Sequence, residues 1–146
     1  MDVQGKTKWL LFIAINSYPY DPLPGVPLDA QQLYKVLSDK TNGEIQWSRW
    51  LSDDQATKEN ILREIQDLKR ADSSAQAIIY FGGHGHRVNG VSYLLPYGAH
   101  WNSPLHDFIS MEELGAAIAK IRTEESVIIL DCCHSGGLLE VVSKPD

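Results

Sequence analysis

The sequence predicts an α/β fold: a mostly parallel sheet with helices on both faces. Three observations carry that expectation. Short apolar runs alternate with amphipathic helical stretches in the order strand–helix–strand–helix–strand–helix–strand, which is the pattern of a parallel sheet wrapped by helices. The runs are continuous rather than alternating, as strands covered on both faces require. No internal repeat or linker divides the 146 residues, and a length of that order suits one domain, here 1–146.

Taken in order, Lys8 to Ile15 is nearly all apolar and reads as the first buried strand. A turn-rich connection from Tyr18 to Pro27 follows, with four prolines and Gly25. From Leu28 to Asp39, Leu33, Val36 and Leu37 recur at helical spacing. Ile45 to Leu51 reads as a strand, with Asn42-Gly43 as its turn signal. Thr57 is placed to cap a helix whose Ile61, Leu62, Ile65 and Leu68 form one stripe. Ala75 to Phe81 is a second buried strand, ended by Gly82-Gly83, and Tyr93-Leu94-Leu95 reads as a short strand. Ser110, with Glu113 three residues on, reads as a capping box opening a helix that turns Met111, Leu114, Ile118 and Ile121 inward. Val127 to Leu130 is the last buried strand, and it runs into Asp131-Cys132-Cys133-His134-Ser135-Gly136-Gly137.

Composition excludes several functions. With 13 Lys+Arg against 19 Asp+Glu the net charge is −6, and no basic cluster is present to displace counterions from a phosphate backbone, so no nucleic-acid partner is expected. The longest apolar run, Trp9 to Ile15, spans seven residues where a bilayer needs about 20, so no membrane partner is expected either. Lys6 and Lys8 ahead of that run resemble a signal peptide only faintly: no small-residue cleavage pattern follows, and Asn16-Ser17-Tyr18-Pro19 reads as a turn. The two cysteines, Cys132 and Cys133, are adjacent and cannot staple a fold. A reducing, cytoplasmic setting is the natural reading.

In open parallel sheets ligands bind at the carboxyl ends of the strands. Two of these ends carry unusual chemistry: FGGHGH after one strand and DCCHSGG after another. A thiol becomes a good nucleophile only as thiolate, which needs a neighbouring imidazole or a positive field. Cys133 falls where a buried strand stops and a Gly-rich turn begins, a place that exposes a side chain and frees backbone N–H groups for an oxyanion. His84 stands between Gly83 and Gly85, 49 residues upstream, so the pair meets only through the fold. Taken singly, a cysteine after a strand is an ordinary small core residue and a histidine in a glycine loop an ordinary surface one. Zinc is a rival reading for His84, His86, Cys132, Cys133 and His134, but none shows the usual CxxC or HxxxH ligand spacing.

FGGHG at one strand end with ILDCCHSGG about 50 residues later resembles the catalytic, large-subunit portion of a metacaspase, a caspase-like cysteine peptidase. The resemblance covers nearly the whole chain. It implies the three-layer caspase-like fold with the small-subunit strands absent from this chain. It also implies hydrolysis of peptide bonds by a thiol protease made as a zymogen, of a kind tied to programmed cell death. Residue by residue, Cys133 matches the nucleophile and His84 the catalytic histidine, while the backbone N–H groups of Gly85 and Cys133 match the oxyanion hole. Cys132 replaces the serine usual before the nucleophile. Asp29, in PGVPLDA, matches the aspartate of the family's G-C-x-N-D-A stretch, and Asp131 precedes the cysteine pair. Two converging carboxylates would select Arg or Lys before the scissile bond. Taken singly, Asp131 also reads as a strand-end cap and Asp29 as a first-turn helix acid.

No cofactor is required by this reading. Calcium enters as an activator in many metacaspases, with Glu112 and Glu140 at matching positions, but Met111 interrupts the acidic pair and no carboxylate occurs between Gly85 and Asp107, so weak or absent dependence is expected. With Val127–Leu130 as the last strand, its outer edge is expected to be open and in need of a partner, supplied in the resembled family by a small-subunit segment. The chain then reads as truncated, or as the large half of a processed or split enzyme. The partners expected are a peptide or protein substrate and that segment. The alternative, from a different class, is a caspase-like interaction module that signals by association.

Overall fold

The computed structural model describes residues 6–39, 43–132 and, for backbone pairing, 138–143. The first strand, β1 (Thr7–Ala14), is buried along almost its whole length. Its one cation there, Lys8, is 2% exposed and extends its ammonium to the backbone carbonyls of Leu37 and Asp39. Those carbonyls terminate helix α1 (Val26–Leu37), where positive charge is favoured by the helix dipole. The helix begins two residues before Leu28, the start expected from hydrophobic spacing. Pro27 lies in the first turn, where its missing N–H costs nothing and its fixed φ is already helical.

The second strand, β2 (Glu44–Ser52), is entered through Gly43 at φ +105°. A Cβ at that position would lie 2.0 Å from the Lys6 carbonyl oxygen, so only glycine fits. Helix α2 (Lys58–Asp67) is capped as expected, the Thr57 side chain accepting from the Asn60 N–H at 3.2 Å. Strand β3 (Gln76–Gly83) continues through both glycines that were expected to end it. After it come β4 (Gly85–Val88), β5 (Val91–Leu94), β6 (Ile109–Ser110), α3 (Met111–Ala119), β7 (Glu125–Cys132) and β8 (Leu138–Ser143). Only half of the expected capping box forms at α3. Ser110 accepts from the Glu113 N–H at 3.0 Å, but the Glu113 carboxylate pairs with Lys58 at 3.1 Å.

Among the described residues the main sheet has the order β2-β1-β3-β7-β8, parallel from β2 to β7. Residues two apart along a strand share a face, and the two faces build separate cores. Leu10, Phe12, Ile78 and Tyr80 pack under α1, against Val26 and Ala30. Leu11, Ile13, Ile79, Phe81, Ile128 and Leu130 face the other way, into a cluster with Ile61, Ile65 and Leu68 of the α2 region and Leu114 of α3. Helices therefore lie on both faces, and the expected α/β architecture is observed.

Two features correct the sequence reading. The β7 edge is not open: β8 runs antiparallel along it, from Cys132↔Leu138 to Val127↔Ser143. Only five residues, 133–137, separate the two strands, enough for an antiparallel return but far short of the dozen or more that a parallel crossover needs. An apolar edge with β-prone residues so close in sequence recruits them. The second feature is that Gly85-His86 is not loop but the start of a separate antiparallel sheet, β4-β5-β6. Its hairpin turns at Asn89-Gly90, both at positive φ (51° and 81°), as the tight hairpin turns demand.

Candidate active site

The carboxyl ends of β3 and β7 lie side by side, with Gly82 opposite Asp131 and Gly83 opposite Cys132. His84 follows Gly83 directly, so the register brings the histidine motif to the end of the strand that carries Cys132. Cys133 itself lies outside the described residues, as does His134. Cys132 packs against the α2/α3-side core. A Cβ at Gly85 would lie 3.2 Å from both the Cβ and Sγ of Cys132, so glycine at 85 permits this close approach of the hairpin to the end of β7.

His84 is 2% exposed, not a surface residue. Its ring nitrogen Nε2 lies 2.6 Å from the carbonyl oxygen of Asp21. A carbonyl can only accept, so Nε2 carries the proton and Nδ1 is the basic nitrogen of the neutral ring. Its backbone N–H donates to the Tyr18 hydroxyl at 2.9 Å, and that hydroxyl donates to the Leu95 carbonyl at 2.8 Å. The Leu95 N–H returns to the His84 carbonyl at 3.0 Å. The ring itself packs against both Tyr18 and Trp101, with centroids 4.4 and 5.0 Å away. Trp101 also packs against His86, with centroids 5.1 Å apart.

The loop that supplies Tyr18 and Asp21 is anchored at its root. The Asp53 carboxylate accepts from the N–H groups of Asn16 and Ser17 at 2.9 and 2.8 Å. Asp53 stands at φ 47° and Asp21 at φ 57°, a region where aspartate is among the few non-glycine residues tolerated.

The two carboxylates read as specificity residues sit as follows. Asp131 is half-buried at the end of β7, on the α1 face, where the Tyr80 hydroxyl donates to it at 3.0 Å. Asp29 is exposed in the first turn of α1. The same turn begins at Val26, whose side chain would be 2.8 Å from a Cβ on Gly82, the register partner of Asp131. The first turn of α1 thus lies over the strand end that carries Asp131. Of the two positions matched to calcium by the resemblance, Glu112 is exposed at the start of α3 and Glu140 falls in β8. Among the described residues no group of three or more His, Cys, Asp or Glu is placed to hold a metal ion, and no helix is long and apolar enough to cross a membrane.

Sequence reading missed Tyr18, Asp21 and Trp101. The two loop residues left no periodic signal, while a tryptophan in the polar stretch His100-Trp101-Asn102-Ser103 was a visible oddity.

Comparison with known proteins bears on family and fold. The family model described as Caspase domain matches residues 7–145. Protein GSU0716 from Geobacter sulfurreducens, known from a crystal structure, superposes with a TM-score of 0.69 at 14% identity, over 87% of this chain and 50% of that one. The chain thus spans half the length of that structural relative, and the likeness is one of fold. No curated protein matches. With the family model covering almost every residue, the chain belongs to the caspase-domain family of cysteine peptidases.

Proposed function

We propose that this chain is the catalytic portion of a cysteine endopeptidase of metacaspase type, cleaving after Arg or Lys. The observation that carries the reading is the hydrogen bond from His84 Nε2 to the Asp21 carbonyl, which leaves Nδ1 as base at the end of β3, beside the end of β7. In this reading Nδ1 takes the proton of the Cys133 thiol. The thiolate attacks the peptide carbonyl carbon, and the resulting oxyanion is met by the N–H groups of Gly85 and Cys133. The imidazolium then gives its proton to the leaving amine, and a thioester forms. Water, deprotonated by His84, hydrolyses the thioester to the carboxylic acid and restores the thiol.

The packing of Cys132 against the core supports giving it the structural part and Cys133 the chemical one. Asp131 and Asp29, at the strand end and over it, supply the negative charge for a basic residue before the scissile bond; a guanidinium can bridge a carboxylate bidentately. The test is hydrolysis of matched peptides bearing Arg, Lys or Asp at that position. Turnover of Arg and Lys peptides at least tenfold above the Asp peptide, abolished by alkylation, is expected. Comparable turnover of Asp and Arg peptides would overturn the specificity, and alkylation-resistant hydrolysis would overturn the thiol mechanism.

A further inference from the structure

Asp21 is unusual in presenting both its backbone and its side chain to the neighbourhood of His84. Its carbonyl accepts from His84 Nε2 at 2.6 Å, while its carboxylate accepts from Trp101 Nε1 at 3.3 Å. Trp101 in turn packs edge-on against the His84 ring itself, 5.0 Å between centroids. Trp101 lies between β5 and β6, some 80 residues from Asp21 in sequence. The indole therefore ties two segments that otherwise share no strand: the β1–α1 loop and the loop that follows the hairpin.

Asp21, whose carbonyl meets the imidazole, stands at a left-handed φ of 57°, and this backbone conformation costs a non-glycine residue energy unless neighbours hold it. The indole–carboxylate hydrogen bond is such a hold. We propose that Trp101 and the Asp21 carboxylate form a brace that keeps the Asp21 carbonyl on Nε2, and so keeps His84 in the one tautomer with Nδ1 basic. Both are positioning residues: they act on the reaction only through His84. For its catalytic consequence the inference rests on the peptidase reading above; for its structural content it does not.

Three variants and two readouts test it. Trp101→Phe keeps a ring beside His84 and removes the indole N–H. Asp21→Gly keeps the carbonyl, accepts positive φ without strain and removes the carboxylate. Asp21→Asn leaves an amide oxygen able to accept from the indole. The first readout is the pair of ring 15N shifts of His84, which report the tautomer; the second is kcat and KM on an Arg peptide.

In the unaltered protein one protonated and one basic ring nitrogen are expected. Trp101→Phe and Asp21→Gly should each move both shifts toward tautomer averaging and lower kcat about five- to tenfold, the size of one hydrogen bond, with KM little changed. The double variant should fall no further than either single one. Asp21→Asn should lose less than Asp21→Gly on both readouts. Unmoved shifts in Trp101→Phe and Asp21→Gly, additive losses in the double variant, or Asp21→Asn falling as far as Asp21→Gly would each overturn the brace. The two readings fail separately. Shifts that respond as expected in a protein that hydrolyses nothing sink the peptidase and leave the brace; hydrolysis indifferent to the variants does the reverse.

Discussion

Two neighbouring thiols raise the sharpest question at the scale of single residues. A thiol packed among apolar side chains behaves as a small hydrophobe, and Cys132, half-buried, packs against the core beneath Gly85. If Cys133 is the nucleophile, Cys133→Ala should abolish both peptide hydrolysis and rapid labelling by iodoacetamide. Cys132→Ser should retain the label on a single site, as peptide mapping by mass spectrometry would reveal. Label found on Cys132 in the unaltered protein would reverse the assignment. His84 shows how much one residue owes to others: its backbone, its Nε2 and its ring are held by groups from two separate segments. A base so constrained loses little entropy on reaching a reactive geometry.

Among the elements, helix α2 and helix α3 begin in the same way, with a hydroxyl at the N-cap accepting from the third helical N–H. Each cap satisfies one of the first-turn donors that the helix leaves without a partner. Thr57→Ala and Ser110→Ala should each lower stability by about 1 kcal/mol, measured as a shift of the urea midpoint at constant m. Ser110→Ala is the more interesting of the two, because Glu113 has given its carboxylate to Lys58, which also donates to the His106 and Phe108 carbonyls. That ammonium ties the start of α2 to the segment leading into β6 and to α3, so the second helix is docked by charge as well as by Leu114. The β1–α1 connection is held at its root by Asp53 and at its middle by Tyr18. A loop with three prolines, Pro19, Pro22 and Pro24, and two such anchors is a firm platform for the Asp21 carbonyl.

For the molecule as a whole, the question is what completes the sheet. Strand β8 occupies the edge where the family resemblance would place a small-subunit segment. A segment of that kind, supplied downstream or in trans, would have to take the place of β8 or pair with its outer edge. Under the peptidase reading, supplying it should raise kcat/KM on an Arg peptide, because added strands extend the wall of the substrate cleft. A rate indifferent to it would favour a chain sufficient in itself. Under the same reading calcium should matter little, because Met111 interrupts the acidic pair, and activity in EGTA should equal that in millimolar calcium within twofold. Should Cys133→Ala retain association with a caspase-like partner while the unaltered chain hydrolyses nothing, the interaction-module reading would take over.

What the sequence determined by itself is the order of the elements and the two strand-end motifs. Hydrophobic periodicity is a local property, and continuous apolar runs such as Trp9 to Ile15 or Val127 to Leu130 have one stable destination, the middle of a covered sheet. Thr57 announced its helix for the same reason, since a cap bonds only three residues away. The tertiary structure alone decided that β8 closes the β7 edge, that Gly85 opens a second sheet, and that Asp21, Tyr18 and Trp101 surround His84. Those contacts join positions 63, 66 and 80 residues apart. A hydrogen bond across such a span imposes no period on the chain between its ends, and so it becomes visible only when the packing of the helices and the sheet brings those ends together.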